Sequence, residues 1–284
     1  MSKLLSFFQR PFKQLFIWFF CTCAICGVSL FSYMYWEGTS LTLKKHESPT
    51  ACLPNFSGLK ILIVTDIHSQ IKMLDDMVAL AEQTKPDLVF FLGDLFTDFN
   101  RISHTGKYIT ALKRLSALAP AYACLGNHDM SQLSSVARVL KEARFTLLRN
   151  EATFITLPRF NDAKIKIIGV GDLREGDCFP QQCMTPLAEA EPDSPPVIVL
   201  SHNPMARNIL SSYQWNFMVS GHTHGGQICI PLLNKAIFLE AGETMDSGFF
   251  NHTENRTIFV SPGVGYVGPG RFNCPPEVSL ITIR

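Results

Sequence analysis

The stretch Ser220–Ile228, SGHTHGGQI, sets His222 and His224 one residue apart, after the largely apolar run Trp215–Val219 and before two glycines. In a strand, residues two apart share a face. The pair therefore offers two imidazoles side by side, which fits a metal site or merely two solvated polar residues. Other residues weigh on the choice. Asp66 and His68 follow ILIVT, Asp94 follows LVFFLG, Asn127 and His128 follow YACLG, and His202 follows VIVLS. Five of the eight histidines stand where a short apolar run ends, a preference that scattered surface histidines would not show. Asp66, Asp94, Asn127, His68, His202, His222 and His224 together outnumber the ligands that one tetrahedral ion uses. They suit two divalent ions sharing a carboxylate, an arrangement that activates water and braces an in-line displacement at phosphorus. Mixed nitrogen and oxygen donors without thiolate favour Mn, Fe, Zn or similar ions and leave the identity open.

The elements that must position these residues are readable from periodicity. KILIVTD leads into a helical pattern near Ile71–Gln83, DLVFFLGD into one near Lys107–Leu118, and AYACLGNHD into one near Ser131–Ala143. After Asn150 the chain is richer in strands: ATFITL, KIKIIGVGD, PVIVLSH, FMVSGH, TIFVSPG and VSLITI. This is an α/β domain with strands covered on both faces. The carboxyl ends of strands in such sheets are where ligands bind, so the fold gathers residues that are distant in sequence.

The chain has 284 residues, 46% hydrophobic and 17% charged, enough for one large core. Lys and Arg number 25 against 24 Asp and Glu, so no basic field points to nucleic acid, and a nuclease is disfavoured. No protein partner is inferred. The expected divisions are a basic segment 1–14, a membrane anchor helix 15–36, a linker 37–58 and a catalytic domain 59–284. Leu15–Trp36 is 22 residues without a charge, ending in interfacial aromatics; it exceeds a signal-peptide core and matches a bilayer span. Three basic residues before it against Lys44 and Lys45 after it give only a slight lean toward an external domain.

Of nine cysteines, Cys21, Cys23 and Cys26 lie in the apolar run without a second pair to complete a zinc site. The other six could be buried thiols or include a bridge such as Cys178 with Cys183. GVGYVG at 263–268 lacks a following helix and reads as a loop. Ser201 has no nucleophile elbow around it. Asp172 and Asp177 could line the cleft, though solvated loop carboxylates are commoner; His46, His104 and His252 read as surface residues, and 172–196 has the composition of a mobile loop able to cover a substrate.

The ordered blocks DIH, GDL, GNHD, SH and GHTH resemble the calcineurin-like metallophosphoesterase superfamily over residues 60–284. The resemblance implies a four-layer αββα sandwich of two mixed sheets. It also implies one metal held by Asp66, His68, Asp94 and His224 and a second by Asp94, Asn127, His202 and His222. His128 would stabilise transition-state charge or protonate the leaving oxygen, and Asp129 would orient its imidazole. GHTHGGQI with IPLL, and RFNCPPE at 271–277, resemble the membrane-associated phosphodiesterases of the YaeI and YkuE type, a branch that includes lipid A enzymes cleaving UDP-2,3-diacylglucosamine to UMP and 2,3-diacylglucosamine 1-phosphate. That resemblance implies a lipid-linked nucleotide substrate at a membrane, the bacterial inner membrane with the domain on the cytoplasmic side, where UDP-sugars are found. A broad-specificity phosphodiesterase is the alternative, and a noncatalytic metal-binding scaffold a second. Related sequences often read VSRGLG where this chain reads VSPGVG, so Arg271 is a candidate for the missing phosphate-binding cation.

Overall fold

Runs such as Ile61–Val64 and Val197–Leu200 are apolar at every position because both faces of these strands are covered. In the computed structural model, which describes residues 2–49, 52–97, 104–230, 235–236, 245–253 and 255–284, the strands are β1 (Thr42–Glu47), β2 (Lys60–Val64), β3 (Leu88–Phe91), β4 (Ala121–Ala123), β5 (Thr146–Leu147), β6 (Glu151–Leu157) and β7 (Ala163–Gly169). They continue as β8 (Val197–Leu200), β9 (Phe217–Ser220), β10 (Cys229–Ile230), β11 (Lys235–Ala236), β12 (Gly248–Thr253), β13 (Arg256–Val260) and β14 (Glu277–Thr282). The helices are α1 (Ser2–Thr39), α2 (Leu74–Glu82), α3 (Thr105–Ser116), α4 (Asn127–Met130) and α5 (Leu133–Glu142).

Among the described residues two six-stranded mixed sheets form, in the orders β1-β14-β2-β3-β4-β5 and β12-β13-β9-β8-β7-β6. Alternation along each strand divides its side chains between layers. Ile61, Ile63, Phe90 and Leu92 meet Ile167, Ile198, Leu200 and Phe217 between the sheets, while Leu62, Val64, Val89 and Phe91 face α2, α3 and α5. The outer face of the second sheet is closed by the 3₁₀ segment Pro204–Ser212, through Ala206 and Leu210, and by Trp215. The fold is the expected pair of mixed sheets flanked by helices, with its fourth layer built from a tighter helix type.

The N-terminal division differs from expectation. Helix α1 begins at Ser2, and Gln14–Thr39 within it has mean hydropathy 2.1, long and apolar enough to cross a membrane. Leu15–Phe20 are each 55–72% exposed, so nothing among the described residues covers this surface. The expected linker 37–58 does not begin as a loose segment: α1 runs on to Thr39, and Thr42–Glu47 adds a parallel edge strand beside β14. The strand escaped a search for apolar runs because an edge carries charges such as Lys44 and Lys45. His46, expected at the surface, is half-buried and bonds Glu277 Oε1 at 2.6 Å. The end of α1 docks on the domain. The Met34 carbonyl accepts from Arg271 N at 3.0 Å, Glu37 accepts from Asn273 N at 2.9 Å, and the Tyr33 and Phe272 rings lie 5.6 Å apart.

Candidate metal centre

Five parallel strands, β2, β3 and β4 from one sheet and β8 and β9 from the other, end at one place, and each delivers a motif there. The chain turns sharply on leaving them: Asp66, His68, Asp94, His222 and His224 all have φ between 47° and 73°. The left-handed region costs an L-residue about 1–2 kcal/mol, and such strain collects where side chains must converge on one point. Glycine solves the closest approaches. A Cβ on Gly221 would lie 2.4 Å from Asp66 Oδ2, and one on Gly225 2.4 Å from Cys274 Sγ. Gly221, just before the histidine pair, therefore lets that pair fold onto Asp66, while Gly225 after it makes room for Cys274.

The carboxylates are each tethered by one oxygen and present the other. Asp66 Oδ2 accepts from Thr65 Oγ1 at 2.8 Å and from His222 N at 3.1 Å. Asp66 Oδ1 faces His68 Nε2 and His224 Nε2, both at 3.6 Å, and His202 Nε2 at 3.9 Å. Asp94 Oδ1 accepts from His128 N at 2.9 Å, while Oδ2 lies 3.4 Å from His68 Nε2 and 3.2 Å from His202 Nε2. His202 Nδ1 donates to the Leu92 carbonyl at 2.8 Å, which fixes its tautomer and leaves Nε2 as the lone pair. His68 Nδ1 sits 2.6 Å from Thr97 Oγ1, and His68 Nε2 2.9 Å from His224 Nε2. The His222 ring is 5.0 Å from that of His202, and the His128 ring 5.0 Å from that of His68.

Asp66 Oδ1, Asn127 Oδ1 and His202 Nε2 are buried atoms with no hydrogen-bond partner among the described residues. Leaving one such group unsatisfied costs about 1–3 kcal/mol, and Asp66 Oδ1 and His202 Nε2, 3.9 Å apart, call for a common partner. Two donors bound to one ion at about 2.1 Å are about 3.0–3.4 Å apart, close to the spacings found. Divalent metals fit this cradle. Asp66, His68 and His224 form one group able to hold an ion, Asp66, Asp94 and His202 another, and His68, Asp94 and His128 a third.

At every shifted ligand candidate but His202, the electrostatics favour the protonation states that metals require. Burial alone would raise the carboxyl of Asp66, but His224, His202 and His68 hold it well below the carboxylate range. Asp94 is likewise lowered, by His202 and His68 against its burial. Burial depresses His224 to about 3 and His222 to about 4, with nearby cationic groups adding to it. Burial also lowers His128. His202 goes the other way: burial opposes, but the Asp94 and Asp66 carboxylates raise it well above its ordinary value.

Asp129 differs from its expected role. Its carboxylate accepts three backbone N–H groups, from Asp94 at 2.8 Å, Leu95 at 2.9 Å and Gly126 at 3.0 Å, and no hydrogen bond links it to the His128 ring. It acts on the Asp94 turn instead. Burial and the Asp94 charge push its carboxyl up to about 7. An asparagine amide at this position would turn an NH2 toward at least one of these donors. Asp129→Asn is expected to weaken metal binding by about 10–100-fold, measured by calorimetric titration of the metal-stripped protein.

Other expectations also change. Arg271 is no phosphate ligand: it is fully buried, and its guanidinium donates to the carbonyls of Gly265, His224, Cys274, Pro262 and Gly263. Asp172 is not solvated but 1% exposed, with Oδ1 held by Glu175 N and Oδ2 unpartnered among the described residues. VGD at 170–172 repeats the strand-then-GD pattern of LGD at 92–94, a signal that could have found it. Asp177 is paired with Arg149 at 2.7 Å. Residues 172–196 do not form one lid. Asn150 pins Asp177 and Phe179, and Pro192–Pro196 lead into the start of β8, the opposite end from His202. Cys178 and Cys183 are free thiols. Arg174 and Glu175, with Asn127, His128, Met130 and Ser131, line a cavity of about 440 Å³ beside the centre.

Two mixed sheets whose strand ends surround a cluster of Asp and His define a metal-dependent phosphoester hydrolase. The chain belongs to the calcineurin-like phosphoesterase family, whose profile matches residues 59–226. It is 32% identical over 237 residues to phosphodiesterase YaeI of Escherichia coli (strain K12), covering 81% of this chain and 83% of that one. Identity is 29% to the uncharacterized metallophosphoesterase YkuE of Bacillus subtilis (strain 168), over 88% of each chain. It is 26% to the UDP-2,3-diacylglucosamine pyrophosphatase LpxG of Chlamydia muridarum (strain MoPn / Nigg), covering 79% and 83%.

Proposed function

We propose that the protein is a membrane-anchored two-metal phosphoesterase that cleaves the pyrophosphate bond of UDP-2,3-diacylglucosamine, giving UMP and 2,3-diacylglucosamine 1-phosphate. Asp66, His68, Asp94 and His224 would hold one divalent ion, Mn2+ first among the choices, and Asp94, Asn127, His202 and His222 the other. Bound there, the ions supply Lewis acidity toward phosphoryl oxygens and an activated water. The observation that carries the chemistry is the convergence of Asp66 Oδ1 and His202 Nε2, 3.9 Å apart, buried and without hydrogen bonds among the described residues. The acylated substrate is supported by the exposed apolar surface of α1, docked through Arg271 N to the same loop whose side chain grips the His224 carbonyl. Such an anchor keeps the centre at the surface where a lipid resides, on the cytoplasmic side of a bacterial inner membrane, where UDP-sugars are found.

The test is Mn2+-dependent release of UMP from UDP-2,3-diacylglucosamine by the purified protein, beside a small chromogenic diester. Hydrolysis of the small diester alone would discard the substrate and leave the second reading, a broad phosphodiesterase, which the 32% identity to phosphodiesterase YaeI favours.

His128 has the leaving-group role in this reading. Its ring lines the cavity beside the centre, yet its donor atom also lies within 4.8 Å of those of His68 and Asp94. His128→Asn is expected to lower kcat by about 10²–10⁴-fold with metal content retained. Loss of metal in elemental analysis would make His128 a ligand instead.

A further inference from the structure

We propose that the groove between α1 and the turn 69–73 holds the acylated, membrane-proximal part of a lipid phosphoester while its phosphate lies at the metal centre. This rests on the membrane-anchored reading above. The groove encloses about 650 Å³ between Tyr35 and Thr39 of α1 and Ser69, Ile71, Met73 and Tyr266 of the domain, a size usual for small-molecule sites.

Three features tie it to the centre and to a lipid. Its inner wall starts at Ser69, the residue after His68, and Ser69 Oγ accepts from Thr97 N, whose side chain contacts the His68 ring. The wall therefore shares its supports with a candidate ligand. Its outer wall is the last turn of α1, continuous with the exposed apolar surface and lying among Tyr33, Tyr35 and Trp36, residue types that mark the membrane interface. The two walls are held in register, because Met34 and Glu37 accept from the backbone of Arg271 and Asn273 and Gln70 Nε2 donates to the Tyr266 carbonyl. The lining matches the ester zone of a lipid, with hydroxyls and an amide beside Ile71 and Met73 and the exposed Lys72 at the rim. A soluble substrate needs neither this wall nor its position at the interface.

The full chain in mixed micelles is compared as wild type, Thr39→Trp and Lys72→Gln, on UDP-2,3-diacylglucosamine and on a small chromogenic diester. Thr39→Trp puts an indole into the groove, and the ratio of kcat/KM for lipid over small diester is expected to fall by about tenfold or more, what losing two buried methylenes implies. Lys72→Gln, an exposed change that leaves packing alone, is expected to raise KM for lipid in anionic micelles by about fivefold. A diazirine-bearing acyl analogue of the substrate is expected to label peptides containing Tyr35 or Tyr266. Unchanged ratios, or labelling confined to other peptides, would overturn the groove. If wild type cleaves only the small diester, the lipid reading fails and takes the groove with it, a result distinct from lipid turnover that the variants leave untouched.

Discussion

Asp94→Asn is expected to reduce bound divalent metal from about two ions per chain to one or fewer and to lower turnover at least about a thousand-fold. The substitution is nearly isosteric. It keeps the Oδ1 that accepts from His128 N and removes only the charge shared between the two halves of the centre, 3.4 Å from His68 and 3.2 Å from His202. Its effect on the metal-free fold should have the same sign. His202 and His68 hold the Asp94 carboxyl below the carboxylate range despite its burial, so neutralising it removes that attraction, and the stripped variant should melt somewhat lower than the stripped wild type. Metal separates the two further. At about one hundred times Kd, an ion stabilises by about 2.7 kcal/mol, raising Tm by about 5–10 °C for a domain of this size. The wild type should show that shift and the variant little of it. A variant with full metal content and an unchanged Tm response would remove Asp94 from the centre.

The contrast between Asp94 and Asp129 shows what the sequence could reveal. Side-chain chemistry was legible: the motifs at strand ends, their order, and the apolar runs that bring them to one side of the sheets are all properties of residue type and spacing. Helices α2, α3 and α5 were legible for the same reason, through amphipathic periodicity, and came within a few residues of expectation. Backbone partnerships were not. The family resemblance implies that Asp129 orients the His128 ring, yet its carboxylate is used by three N–H groups of turns 94–95 and 126. Which backbone groups a turn leaves unpaired depends on φ and ψ, and no residue type reports that directly. Edge strands β1 and β12 were missed on physical grounds too. Half their positions face solvent, and polar residues such as Lys44 and Asn251 interrupt the apolar pattern.

Arg271 belongs to this hidden class, and Arg271→Met is expected to destabilise the domain by about 4 kcal/mol or more, lowering Tm by about 10 °C. Exchanging a buried ion pair for apolar side chains is often neutral, because both charges leave together. Here the partners cannot leave: they are the backbone carbonyls of Gly265, His224, Cys274, Pro262 and Gly263, and the loops that carry them close around a residue with no exposed surface. Methionine fills most of the volume and satisfies none of them. Lysine carries a point charge with three donors in place of a planar fork with five, so Arg271→Lys should recover less than half of the loss. The damage should spread in two directions from this residue, toward His224 through its carbonyl and toward α1 through the Arg271 N bond to Met34. Limited proteolysis of the variant should therefore cut between α1 and the domain faster than in the wild type, alongside the lower Tm. An unchanged melt with unchanged cleavage would mean that water reaches all five carbonyls, and that the loop is held by its remaining contacts with α1 and not by the guanidinium.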